Sequence, residues 1–218
     1  ALNGKAILKE KIYEGQMSAS IYPRPLRRQK SLTQNIVYIS PTRHASGEVF
    51  LGEVLNRPDL YEEMLSILKE FDENILSINY DKNNFGRGTY KILSKSNNKA
   101  LPLNVYGDGM KKAILLMSAV VKANDGILLL DEFETAIHTS AMERTFKWIL
   151  ETCKKLNVQV FMTSHSIEAI SKVLKCCPDM EKDIRMITLV ETLNGIKARN
   201  VDAAKAIKLK EQYGLELR

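Results

Sequence analysis

Apolar and polar positions along the chain change rhythm as it runs, and each change marks an element. Asn35-Ile36-Val37-Tyr38-Ile39-Ser40 is rich in β-branched and aromatic residues and ends in the turn Pro41-Thr42-Arg43-His44, so it reads as a strand. Ala6–Leu8 and Ser18–Tyr22 are weaker strand segments, with Pro23 and Pro25 as breakers. From Asp59 the period becomes helical. Leu60, Met64, Ile67, Leu68 and Phe71 recur at three- and four-residue spacing, behind Pro58 and with Asp59 as a cap. Ile75–Asp81 and Thr89–Ser94 then read as strands, and Asn83-Asn84-Phe85-Gly86-Arg87-Gly88 between them suits the tip of a hairpin.

The second half is more regular. A turn at Val105-Tyr106-Gly107-Asp108-Gly109 opens a helix with Met110, Ala113, Ile114, Met117 and Val121 on one face. The run Ile127–Leu130 is a strand. A helix from about Ser140 to Leu156 turns Met142, Phe146, Ile149, Cys153 and Leu156 inward. Strand Val158–Met162 stops at Thr163-Ser164-His165-Ser166, where another helix begins. Strand Ile184–Val190, a turn at Asn194-Gly195, strand Ile196–Asn200 and a helix near Asp202–Tyr213 complete the chain. Alternation of strand and helix argues for parallel pairing with right-handed crossovers. The expected fold class is α/β, a mostly parallel sheet with flanking helices. Residues 1–50 are expected to form a β-rich arm that pairs with other strands or makes the edge of a sheet, 51–100 a helix-and-hairpin insertion, and 101–218 the carboxyl lobe.

At 218 residues, 44% hydrophobic and 27% charged, the chain can bury the core of one such domain. No apolar run is long enough for a bilayer span, and nothing at the start resembles a secretory signal. Three cysteines, with Cys176 and Cys177 adjacent, and three histidines make neither a disulfide framework nor a zinc site, so a reducing cytosol is the expected setting. The formal charge of +6 is uneven: residues 1–50 hold eight Lys/Arg against three Asp/Glu, and the remainder 24 against 23. Arg24, Arg27, Arg28 and Lys30 form the densest cluster. It is either a contact for nucleic-acid phosphates or a solvated basic loop.

The strongest chemistry stands at the end of Gly126-Ile127-Leu128-Leu129-Leu130-Asp131-Glu132-Phe133-Glu134. So apolar a run suits a strand buried on both faces within a parallel sheet. Asp131 and Glu132 then sit at its carboxyl tip, where open α/β sheets place ligands. In nucleotide hydrolases this is the Walker B element: the first acid holds Mg²⁺, directly or through water, and the second orients the attacking water. The alternative is that the two acids only cap the strand and start a loop. Thr163-Ser164-His165-Ser166 ends another strand and brings an imidazole toward the same crevice. Capping by Ser164 and Ser166 accounts for the serines taken alone and leaves His165 incidental; beside an acidic strand tip, contact of His165 with a γ-phosphate or the attacking water gains weight. Gly107-Asp108-Gly109 lets backbone amides approach a phosphate at a helix start. Equally, Asp108 caps that helix and the glycines make the turn.

In their order these three motifs resemble the carboxyl half of an ABC-type ATPase head. The resemblance is closer still to the AAA-like ATPases related to the overcoming-lysogenisation-defect proteins. Gly107-Asp108-Gly109 matches that group's signature loop. Glu134-Thr135-Ala136-Ile137-His138 matches the segment after its acidic strand, and Thr163-Ser164-His165-Ser166 matches its switch strand. Pro41-Thr42-Arg43 and Gly214-Leu215-Glu216-Leu217-Arg218 are also similar, so the likeness covers about residues 36–44 and 101–218. It implies a P-loop NTPase-like fold that uses ATP and Mg²⁺. Asp131 would serve the metal, Glu132 would activate water, and His165 would contact the γ-phosphate with Ser164 beside it. Gly107, Asp108 and Gly109 would reach the nucleotide of a second copy in a head-to-tail homodimer. Ala136 departs from the group's usual glycine. Asp108 places a negative side chain near an anion, so its carboxylate is expected to turn toward the helix.

The phosphate-gripping motif Gly-x-x-x-x-Gly-Lys-[Ser/Thr] does not occur; Gly4-Lys5-Ala6 lacks the upstream glycine and the hydroxyl. The chain, which begins at Ala1, is therefore expected to be the carboxyl portion of a longer ATPase, with weak or no ATP binding of its own. The competing expectation is a degenerate, non-hydrolysing head that binds a protein or DNA partner in phage defence or DNA repair, a nuclease partner being a separate protein. No membrane association is expected.

Overall fold

The computed structural model describes residues 35–82, 88–97, 99–192, 195–203 and 205–208, all within one compact unit. The expected strands Ala6–Leu8 and Ser18–Tyr22, the Arg24–Lys30 cluster, the hairpin tip at 83–87, Asn194 and the closing residues 209–218 lie outside the described residues. In chain order the elements are β1 (Ile36–Ile39), α1 (Leu51–Leu55), α2 (Pro58–Leu68), β2 (Ile75–Lys82), β3 (Gly88–Ser94) and β4 (Leu101–Pro102). There follow α3 (Asp108–Lys122), β5 (Ile127–Leu130), α4 (Thr139–Lys155), β6 (Gln159–Met162), α5 (Ile167–Cys176), β7 (Arg185–Thr192) and β8 (Gly195–Asp202).

β1, β5 and β6 form a parallel sheet in the order β1-β5-β6, in which Ile39 pairs with Leu130 and Leu130 with Met162. The three strands thus end level with one another. Hydrogen bonds continue one residue past them, from Asp131 N to Ile39 O at 3.0 Å and from Thr163 N to Leu130 O at 2.9 Å. What lies just beyond each strand is consequently brought side by side at one sheet edge. β1 comes this close to β5 because of a glycine: a Cβ on Gly126 would stand 2.1 Å from Asn35 O, the carbonyl that accepts from Ile127 N.

Two expectations change. α3 is not amphipathic. Lys112 and every residue from Ala113 to Val121 are buried, because the helix packs against β1, α1, α2 and α4 at once. A helix enclosed by neighbours has no face to leave polar, and the run Ala113–Val121 is accordingly almost wholly apolar. β5 buries Leu128 and Leu130 in this core, whereas Ile127 and Leu129 on its other face are half-buried among the described residues.

The two strands read as a hairpin over Ile75–Ser94 do pair antiparallel, whereas the strands near the carboxyl end do not join the parallel sheet. β2, β3 and β4 form an antiparallel sheet, with β4 an addition that its Leu-Pro sequence did not signal. β7 and β8 pair antiparallel with each other. Short connections join these strands, and only a long crossover permits parallel pairing. Residues 203 and 205–208 are helical, at the start of the helix expected near Asp202. No helix among the described residues is long and apolar enough to cross a membrane.

Candidate functional site

Leu128 and Leu130 anchor β5 in the core, and the chain then leaves the sheet within two residues. Asp131 keeps its backbone bond to β1, while Glu132 takes φ 42°, a left-handed conformation unusual for a non-glycine residue. Phe133 dives back into the core, 3% exposed and edge-on to Phe146 of α4 with ring centroids 4.8 Å apart. This sharp turn sends the Glu132 side chain toward the tip of β6.

There it meets the histidine. Glu132 Oε1 lies 3.8 Å from His165 Nε2, with the His165 side chain 89% exposed. Asp131 sits between β1 and β6: its Oδ1 accepts a hydrogen bond from the Thr163 hydroxyl at 2.6 Å, and its Oδ2 a long one from the Tyr38 hydroxyl at 3.4 Å. The same Thr163 oxygen accepts from Glu132 N at 2.9 Å. Glu134 continues the turn. Its Oε1 accepts from the backbone N–H of His165 at 3.2 Å, and its Oε2 is buried with no hydrogen-bond partner. Asp131, Glu132, Glu134 and His165 are therefore brought together by two neighbouring strand tips.

A buried cation faces this acidic loop from behind. Lys112 of α3 is fully buried and donates to Pro41 O, past the tip of β1, at 3.2 Å. Burial pushes its ammonium below the usual lysine range, while the carboxylates of Glu134, Glu132 and Asp131 pull it back up. Next to it, His44 is 7% exposed and bonds the same Pro41 O through Nδ1 at 3.1 Å. Burial, then the Lys112 charge, hold His44 below the normal imidazole value.

Gly107 precedes α3, and Asp108 and Gly109 form its first turn. The Asp108 carboxylate pairs with Lys111 Nζ at 2.7 Å, and that partner holds it below the usual carboxylate range. It is held by a residue of its own helix, three positions further on. A Cβ on Gly109 would stand 3.1 Å from Ala136 O, so the start of α3 abuts the turn after the acidic strand. Gly107 has open space around it and an ordinary φ of −62°, so the described structure imposes no need for glycine there. Ala136, where the resemblance led us to expect glycine, has φ 68°. Ser164 and Ser166 behave as helix-start residues: Ser164 Oγ accepts from Ser166 N at 3.0 Å, and Ser166 Oγ caps α5 by accepting from Ala169 N at 3.1 Å. His138 caps α4 in a similar way, accepting from Ser140 N at 3.3 Å.

The donor set suits Mg²⁺ rather than a self-sufficient metal site. Among the described residues no three His, Cys, Asp or Glu side chains gather to hold an ion by themselves. Magnesium asks for one or two carboxylates, with waters and substrate phosphates completing its shell, and Asp131 offers one. Glu134 and Thr163 entered the sequence reading only as members of motifs, without a role of their own, and Tyr38 and Lys112 carried none. Lys112 had a signal of its own, a charge directly before the apolar run Ala113–Val121 on a helix.

The parallel sheet presents these acids and the histidine at its carboxyl edge, the end at which open α/β sheets bind ligands. The family is given by sequence. Residues 21–171 match the family described as "AAA domain, putative AbiEii toxin, Type IV TA system", and the chain belongs to it. A Helicobacter pylori protein described as an ATP/GTP phosphatase is 33% identical over 131 residues, covering 57% of this chain and 34% of that protein. The chain thus spans about a third of that relative's length. An uncharacterized protein of Methanocaldococcus jannaschii is 28% identical over 112 residues, which cover 51% of this chain and 98% of that protein. Among solved structures, an SMC ATPase studied for ATP-driven dimerization and DNA-stimulated activation is 14% identical with a TM-score of 0.49, over 72% of this chain and 91% of that one.

Proposed function

We propose that this chain carries the hydrolytic edge of an ATPase head related to the overcoming-lysogenisation-defect group. The observation that carries the reading is the 3.8 Å approach of Glu132 Oε1 to His165 Nε2, with Asp131 beside them at the same sheet edge. Family membership and the ATP/GTP phosphatase relative support nucleotide hydrolysis as the reaction class. Asp131 is the residue to hold Mg²⁺, which when bound neutralises phosphate charge and fixes its orientation. Glu132 accepts a proton from, and orients, the attacking water. His165, whose side chain is exposed, donates a hydrogen bond toward the terminal phosphate.

The main phosphate cradle is not among these motifs, since the Gly-x-x-x-x-Gly-Lys-[Ser/Thr] pattern is absent. In this reading it lies in polypeptide outside the 218 residues, and Gly107 and Gly109 reach the nucleotide of a second copy through backbone amides. The Asp108–Lys111 pair supports that use of the loop, because the carboxylate is held by a residue of its own helix.

The test is ATP turnover by the product of the complete open reading frame that contains this chain. Glu132→Gln keeps the shape of the side chain and removes its basicity. Turnover falls by about 10²–10⁴-fold, the usual worth of a general base, while ATP stays bound and copies remain associated. A wild-type protein that neither binds nor hydrolyses ATP would sink the proposal in favour of a non-hydrolysing interaction module. Turnover undiminished in Glu132→Gln would remove Glu132 from the reaction.

A further inference from the structure

Thr163 lies one residue past β6, and the acidic loop of the neighbouring strand is fastened to it at three successive positions. Its hydroxyl proton goes to Asp131 Oδ1 at 2.6 Å, its hydroxyl oxygen accepts from Glu132 N at 2.9 Å, and its carbonyl accepts from Phe133 N at 3.1 Å. From this geometry we propose that Thr163 is a positioning residue of the hydrolytic site. It orients the Asp131 carboxylate for the metal and holds Glu132 in the backbone conformation that faces His165. The inference rests on the roles given to Asp131 and Glu132 above.

The hydroxyl does two jobs for the loop at once. A hydroxyl-to-carboxylate bond of 2.6 Å is short and charge-assisted, so it sets the plane of the Asp131 carboxylate. It also occupies Oδ1, leaving Oδ2, with its 3.4 Å contact to Tyr38, as the weakly engaged oxygen available to a cation. Groups that hydrogen-bond a metal ligand in this way govern both its orientation and its affinity. The second job concerns strain. Glu132 at φ 42° is in a region that non-glycine residues enter only when their surroundings over-determine it. Here the surroundings are the bond from Glu132 N to the hydroxyl, the bond from Phe133 N to the Thr163 carbonyl, and the buried Phe133 ring against Phe146. Losing the first frees Glu132 to leave His165.

A threonine that merely ended the strand would be replaced without loss by valine, which has the same shape and an equal liking for strands. The proposal requires the opposite, with serine the tolerated change. Two measurements separate the cases. With the complete protein and a non-hydrolysable ATP analogue, Mn²⁺ is titrated as an electron-spin-resonance probe: Thr163→Val weakens its binding by about 10–100-fold, and Thr163→Ser restores it. With no nucleotide present, amide hydrogen exchange at Glu132 is followed by NMR: it accelerates in Thr163→Val and returns toward wild type in Thr163→Ser. Wild-type Mn²⁺ binding in Thr163→Val, unchanged Glu132 exchange in that variant, or a serine variant as impaired as the valine one would each overturn the inference. A wild-type protein that binds no Mn²⁺ with nucleotide would sink the metal role of Asp131. The exchange measurement would then still decide whether Thr163 holds the loop.

Discussion

At the scale of single residues, the least expected group is a lysine in the core. Lys112 of α3 donates a hydrogen bond to Pro41 O; burial lowers its pKa, and the charges of Glu134, Glu132 and Asp131 oppose that shift. Its field also falls on His44, whose neighbours work both ways: burial, Lys112 and Lys111 disfavour the imidazolium, whereas Pro41 O and Asp108 favour it. The balance lowers the folded pKa below the ordinary value of 6.5. As pH falls, the unfolded chain therefore takes up this proton before the folded one does. Neutral His44 contributes its stability in full above about pH 6.5, and that contribution is lost as pH drops through the folded value. The urea midpoint should accordingly fall between pH 7.5 and 5.5, and His44→Gln should flatten that part of the dependence. An equal acid response in both proteins would show that His44 is not the group involved.

At the scale of elements, the turn from Glu132 to Ala136 bears the conformational cost of the site. Its two left-handed residues, Glu132 and Ala136, are both non-glycine, and Ala136 O closes against Gly109 at the start of α3. An alanine at φ 68° gives up roughly 1–2 kcal/mol to its own Cβ, of which glycine would recover part after its greater unfolded-state entropy. Ala136→Gly should thus raise the unfolding free energy by up to about 1 kcal/mol in denaturant titration. A clear loss of stability would mean that the alanine methyl makes a contact worth more than the strain. Gly109 behaves oppositely: its missing Cβ is the space that lets the helix start and the acidic turn touch.

At the scale of the whole molecule, the site exists because three strands end at one level. Ile39, Leu130 and Met162 are in register, so Pro41, Asp131 and Thr163 follow them into the same edge. Gly126 is the hinge of that arrangement, since any side chain there collides with Asn35 O at 2.1 Å. Gly126→Ala should push β1 away from β5, at a cost on the order of 1–3 kcal/mol, the usual range for overpacking. The displacement should show as faster amide exchange at Ile127, whose N–H is bonded to Asn35 O at 2.7 Å. Unchanged stability and exchange would mean that β1 does not depend on this close approach.

Residue order alone marked most of the strands and helices and the acidic tip, though not α1 or β4. The apolar run Ile127–Leu130 reads as an inner strand with Asp131 and Glu132 directly after it, whereas the closeness of His165 needs β6 paired in register with β5. The helical and alternating periods behind those readings are local properties of the backbone, visible in any short window. Three things were decided by packing at a distance. α3 became a helix buried on every side, so that Lys112 ended among carboxylates instead of in solvent. β7 and β8 paired with each other instead of joining the parallel sheet. Thr163, one polar residue among several at a strand end, became the group that fastens the acidic loop. Each depends on which elements lie next to each other, and contacts between residues far apart in the chain leave no periodic trace in the order of its side chains.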